Sequence, residues 1–187
     1  MMTQMATDST AADENVLSVP VTERDHSSGP PDAPVTLVEY GDYECPDCGS
    51  AYPILKQLRA RLGDRLRFVF RNFPLMNIHA RASIAAQAAE AAAAQGKFWQ
   101  MHDQLYEHQR TLANEDLERL AIRIGLELYK FNADVGSGGF VRRVNEDIAS
   151  GAASGVKGTP TFFINGRRYT GPNEFESLAE ALERAME

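Results

Sequence analysis

The chain holds only two cysteines, and they stand three positions apart in Cys45-Pro46-Asp47-Cys48, at the junction of an apolar run and an amphipathic one. Before them, Val35-Thr-Leu-Val-Glu-Tyr40 is apolar on both faces, the pattern of a central strand covered by helices on each side, with Glu39 as its anomaly. After them, Ile54, Leu55, Leu58 and Leu62 recur at helical spacing and Gly63 closes the run. Residues 46–62 are therefore expected to form a helix, with Pro46 in the first turn, where proline is tolerated. Leu66-Arg-Phe-Val-Phe-Arg71 alternates and predicts a second strand. A β-α-β unit follows, with both thiols at its strand-to-helix turn.

From about 79 to 150 the periodicity is helical. An Ala-dense helix is predicted from His79 to Gln95, a second around Phe98, Met101, Leu105 and Tyr106, a third capped by Asn114, and a last one around Val141, Val144 and Ile148. Thr161-Phe-Phe-Ile164, Asn165-Gly166 and Arg167-Arg-Tyr-Thr170 then read as a hairpin, since both central residues of a type I′ turn need φ > 0. A final helix is expected with Asn173 and Glu176 as a capping box. The fold class is thus α/β, ordered β-α-β, helical insert over about 76–150, then β-β-α, in one domain spanning 25–187. Residues 1–24 are expected to be a disordered tail or an edge segment, with a weak strand at Val16–Val21, and the Pro/Gly-rich stretch 27–34 a loop.

At 187 residues, one core suffices, and no run approaches the length of apolar sequence that crosses a bilayer. The net charge of -7 argues against a nucleic-acid partner, which would need clustered Lys and Arg. The first 23 residues contain no Lys or Arg and no apolar core of the kind an export signal needs, so a cytoplasmic location is expected.

Chemistry concentrates at the cysteines. At a helix start, backbone N–H groups and the positive end of the helix dipole favour thiolate at Cys45, the expected attacking group. Cys48, one turn further in, should be less exposed and able to cleave a mixed disulfide from inside. Another reading is a dimeric zinc or iron–sulfur site built from the same cysteines; within one chain the remaining candidates, His26, His79, His102 and His108, lack ligand-like spacing. A glutathione-dependent isomerase or transferase is a lower alternative. In Gly158-Thr159-Pro160-Thr161, a proline entering a strand is compatible with a cis bond or with a trans proline at a strand edge. His79, Trp99, His102 and His108 read as helix-start, packing or surface residues.

Together, the Cys-Pro-Asp-Cys turn, Glu39-Tyr-Gly-Asp-Tyr-Glu-Cys45, Phe68-Val-Phe-Arg-Asn-Phe-Pro74, Gln95-Gly-Lys-Phe-Trp99 and Ser154-Gly-Val-Lys-Gly-Thr-Pro-Thr-Phe-Phe-Ile-Asn-Gly166 resemble the DsbA-like thiol–disulfide oxidoreductases of the thioredoxin superfamily. The likeness is to the small DsbA-type domains also found fused to sodium/proton antiporters, and runs from about Asp25 to Leu182. It implies a thioredoxin-like fold and a protein disulfide oxidoreductase with Cys45, Cys48 and Glu39 as catalytic residues, Glu39 being the buried acid that takes the Cys48 proton. It also implies that Pro160 is cis and faces the cysteines. Thr159, Pro160, Pro46 and Asp47 complete the expected substrate-facing set. No metal or cofactor is expected; the partners would be protein or small-thiol substrates and a redox recycling protein, with the oligomeric state open. Two departures from the strongly oxidising members stand out: Pro-Asp replaces their Pro-His between the cysteines, and no export signal is visible. Asp42, Glu44 and Asp47 are expected to oppose charge on Cys45, leaving a weaker thiolate and a less oxidising disulfide.

Overall fold

The computed structural model describes residues 13–187. The chain enters its sheet at β1 (His26–Ser28) and crosses it in β2 (Val35–Gly41), then runs through α1 (Pro46–Leu62) and a 3₁₀ turn at Gly63–Arg65 into β3 (Leu66–Asn72). Five helices follow: α2 (Ala82–Ala93), α3 (Phe98–Glu107), α4 (Asn114–Arg123), α5 (Leu128–Gly136) and α6 (Val141–Ala153). The chain returns through β4 (Thr161–Ile164) and β5 (Arg167–Arg168), and ends in α7 (Phe175–Arg184). The sheet order is β1-β3-β2-β4-β5, with β2 parallel to β3 and antiparallel to β4. This is the α/β order predicted, with the helices inserted between its two halves.

β2 is central, and its register explains why it is apolar on both faces. Leu37 and Glu39 stand beside Phe68 and Phe70 on one side and Ile164 and Phe162 on the other. Their face packs against Leu55, Leu58 and Leu62 of α1, Leu178 and Leu182 of α7, and the insert. The opposite face carries Val38, Tyr40, Val69 and Phe163, covered by Ile148 of α6 and by Leu17 and Val21. Burying each Leu or Phe side chain contributes roughly 1.5–3 kcal/mol, so the two-sided burial is what holds the strand in place. In α2, Ala85, Ala88, Ala89, Ala91 and Ala92 are all buried, and their small side chains let neighbouring helices approach closely.

Several boundaries differ from expectation. His26–Ser28 is a strand rather than loop, because it pairs antiparallel with β3 before the prolines begin. Val16–Val21 is not a strand: Val16 makes one isolated bridge to Arg167. Residues 13–24 are nonetheless docked, since Leu17 N–H donates to Gly166 O at 2.8 Å and Arg71 holds the Val19 and Pro20 carbonyls. The expected disorder at 1–12 lies outside the described residues. α2 starts at Ala82, three residues later than predicted, and α5 was not predicted at all. Only Phe131 of α5 is buried, so its apolar period is thin. Asn114 is not a cap; Ala113 holds that place, and its N–H donates to the Asp116 carboxylate at 3.0 Å. The Asn173–Glu176 box does not form, because α7 begins after Glu174. The hairpin turn has the required geometry, with Asn165 at φ 46° and Gly166 at φ 79°.

Candidate active site

β2 ends at Gly41, and the turn that follows delivers Cys45 to the N-cap of α1, with Pro46 as the first helical residue. The Cys45 carbonyl accepts the first helical bond, from Gly49 N–H at 3.0 Å, and its amide donates to Asp42 O at 3.2 Å. The first-turn amides of the helix are therefore presented to the Cys45 sulfur. Cys48 lies one turn deeper and is fully buried, whereas Cys45 keeps 5% exposure; both are free thiols.

The segment before β4 closes the site. The Thr159–Pro160 peptide is cis, and Cys45 Sγ–H donates to Thr159 O at 3.3 Å. Because β4 pairs directly with β2, this loop is carried to the same end of the sheet as the helix start. The Thr159 hydroxyl is buried with no partner among the described residues, and can donate to the sulfur once the thiol ionises.

The two thiols occupy opposite electrostatic states. Donation from Cys48, aided by the Thr159 hydroxyl and the Cys48 and Asp47 amides, outweighs burial and lowers the Cys45 thiol to about 5. Burial above all, then donation to Cys45 and the charges of Glu39 and Cys45, push the Cys48 thiol well above its ordinary value. Glu39 lies on the α1 face of β2 at 1% exposure, and neither carboxyl oxygen has a hydrogen-bond partner among the described residues. Burial first, then the Cys45 charge, lift its carboxyl to about 8 against the opposing pull of Arg59. Pro46 and Asp47 are exposed on the first turn of α1, and Thr159 and Pro160 are half-buried beside Cys45.

The expected weakening of the thiolate by acidic neighbours is corrected by this geometry. Asp42 Oδ1 accepts Glu44 N–H at 2.7 Å, and its Oδ2 accepts Leu75 N–H and His79 Nδ1–H, each at 2.8 Å. Glu44 Oε2 accepts Arg81 N–H at 2.6 Å. Beside these acids it is donation to the sulfur, from Cys48 first and then from Thr159 and the Cys48 and Asp47 amides, that lowers the Cys45 thiol.

Residues without an evident motif complete the site. Gln109, just after α3, donates from Nε2 to Cys45 O at 2.6 Å and lies over Gly49, where an added Cβ would meet its Oε1 at 2.2 Å. Tyr106 of α3 has a buried hydroxyl without a partner among the described residues, and burial followed by the Cys48 and Glu39 charges keeps it protonated. His79, read from sequence as a helix-start residue, is hydrogen-bonded to the turn before Cys45. His102, by contrast, is the packing residue expected, buried and bonded to Tyr43 Oη at 3.0 Å. Among the described residues, no three His, Cys, Asp or Glu side chains converge as a metal ion would require.

A family model described as thioredoxin matches residues 21–184. Among curated proteins, an antiporter-named relative, Na(+)/H(+) antiporter NhaA 3 of Salinispora tropica, is 46% identical over 91% of this chain and 26% of its own length. Na(+)/H(+) antiporter NhaA 1 of Mycobacterium sp. is 47% identical over 86% of this chain and 27% of its own. The chain thus spans about a quarter of the length of these relatives, and no described helix is long and apolar enough to cross a membrane. Among solved structures, oxidised BdbD of Bacillus subtilis superposes with TM-score 0.81 at 24% identity, over 93% of this chain and 99% of that one. A thioredoxin-like oxidoreductase of Silicibacter pomeroyi superposes with TM-score 0.77 at 27% identity, over 88% and 93%.

Proposed function

We propose, from the premise that this chain belongs to the DsbA-like part of the thioredoxin superfamily, that it is a dithiol–disulfide oxidoreductase working through Cys45 and Cys48. The observation that carries the reading is the contrast between the two thiols: one acidic, at a helix start and against Thr159, the other buried and held protonated one turn below.

In the reducing direction, the Cys45 thiolate attacks one sulfur of a substrate disulfide. The substrate S–S bond breaks, the leaving sulfur departs as thiolate and takes a proton, and a mixed disulfide to Cys45 remains. Cys45 no longer carries charge at this stage, so one of the two causes that raise the Glu39 carboxyl is gone and its ionised form is favoured. Glu39 then accepts the Cys48 proton, Cys48 attacks the Cys45 sulfur, and the second substrate thiol leaves. Two electrons pass to the substrate, and the protein ends with a Cys45–Cys48 disulfide. Oxidation of a substrate dithiol is the same sequence reversed. Thr159 and Pro160, with Pro46 and Asp47, form the surface on which an extended substrate segment lies. The substrates are proteins or small thiols and disulfides, and recycling needs a second dithiol or disulfide partner.

Insulin reduction tests this. Cys45→Ser is expected to abolish turnover, while Cys48→Ser retains the first attack and accumulates a mixed disulfide visible by mass spectrometry. Wild-type turnover in Cys45→Ser would remove Cys45 from the mechanism, and a stoichiometric metal in the purified wild type would favour the dimeric metal site instead.

A further inference from the structure

The turn between the cysteines carries Pro46 and Asp47 and so brings no cation to the attacking sulfur. A candidate reaches the turn before Cys45 from another loop: His79, whose Nδ1 lies 2.8 Å from Asp42 Oδ2. Asp42 is the hub: its side chain is fully buried, its carbonyl holds the Cys45 amide, and its carboxylate holds the Glu44 and Leu75 amides together with the His79 ring. Both amides are neutral, so among the described partners of this buried carboxylate His79 is the one that can bring a positive charge. An ionised carboxylate only accepts hydrogen bonds, so the proton of this contact sits on His79 Nδ1. Protonation at the other nitrogen, Nε2, then makes the ring a cation.

We propose that His79, held against Asp42, is the cation that answers the Cys45 thiolate, a positioning residue that supplies from the β3–α2 loop the charge missing between the cysteines; this rests on the dithiol-exchange reading above. Among the described residues, the charged and titratable groups that act on the imidazole include Asp42 and Glu44 on the β2–α1 turn and Cys45 at the start of α1, with the Arg81 amide tying Glu44 to the same loop. Burial works against the imidazolium, but the Asp42 hydrogen bond and the charges of Asp42, Cys45 and Glu44 raise its pKa above the ordinary histidine value. The coupling is mutual: a charge that favours His79 protonation is itself favoured by it.

The test reads both ends. NMR titration of the His79 ring in the reduced wild type and in Cys45→Ala is expected to give a midpoint lower by about half a pH unit or more in the variant. Thiolate absorbance of His79→Gln is expected to give a Cys45 midpoint higher by the same interval, with alkylation at pH 5 slowed about twofold and alkylation at pH 8 unchanged. His79→Lys, which keeps the charge, is expected to restore the wild-type midpoint. Coinciding His79 midpoints in the wild type and Cys45→Ala would overturn the proposal even if His79→Gln failed to fold. An inert wild type with coupled midpoints would instead overturn the exchange reading alone.

Discussion

Cys45 and Cys48 carry the same side chain into two environments, and the site works by the difference between them. Donation from Cys48 leads among the causes that acidify Cys45, so Cys48→Ala is expected to raise the Cys45 midpoint by about one pH unit, measured by alkylation rate against pH. Glu39 makes a second prediction, with a definite sign. Its folded pKa of about 8 lies above the roughly 4.3 of an unfolded Glu, so its contribution to stability is full below pH 4 and is lost as pH rises through 8. Glu39→Gln should therefore gain stability relative to wild type between pH 4 and pH 9, by an amount on the order of 5 kcal/mol, in urea unfolding at the two pH values. The same variant should resolve the Cys48→Ser-trappable mixed disulfide about a hundredfold more slowly when Cys48 is present, since it lacks the base. At this scale sequence was informative where chemistry is local: two thiols at a strand-to-helix junction. The acid on β2 and the loop at Pro160 became readable only through resemblance. His79 and Gln109 stayed silent because their roles depend on which loop meets the turn, and neither sits in a local pattern that says so.

At the scale of elements, the same division holds. β2, α1, β3 and the Asn165-Gly166 hairpin are written in short-range periodicity and turn chemistry and stand where they were expected, except that the second hairpin strand stops at Arg168 rather than Thr170. α5, β1 and the caps of α4 and α7 are decided by tertiary packing that local propensity does not encode. The clearest case is Arg71, an alternation residue by sequence that is buried in the structure. Its guanidinium binds Asp25 at 2.7 and 3.0 Å, and Nη1 donates to Tyr40 Oη at 2.9 Å. This links the segment before β1 to the sheet. Removing one partner strands the other charge, so Asp25→Ala is expected to cost about 3–5 kcal/mol in urea unfolding. Burial opposes the Asp25 carboxylate, but its bonds to Arg71 and the Thr22 amide win and hold its pKa below the ordinary value. The stabilisation is therefore present at neutral pH and lost as pH falls below about 4.

Over the whole molecule, the sheet brings two distant segments, the start of α1 and the approach to β4, to one end of the neighbouring strands β2 and β4, while the insert closes over them with Tyr106 and Gln109. That convergence makes a thiol at Cys45 that ionises near pH 5, and stabilising the reduced form in this way makes the disulfide more oxidising. Equilibration of the Cys45–Cys48 pair against glutathione, followed by mass spectrometry, tests this directly. A single two-electron transition to an intramolecular disulfide is expected, at a potential of roughly -240 to -150 mV, between thioredoxin and the strongly oxidising DsbA. Two independent glutathione adducts with no Cys45–Cys48 bond would contradict the account.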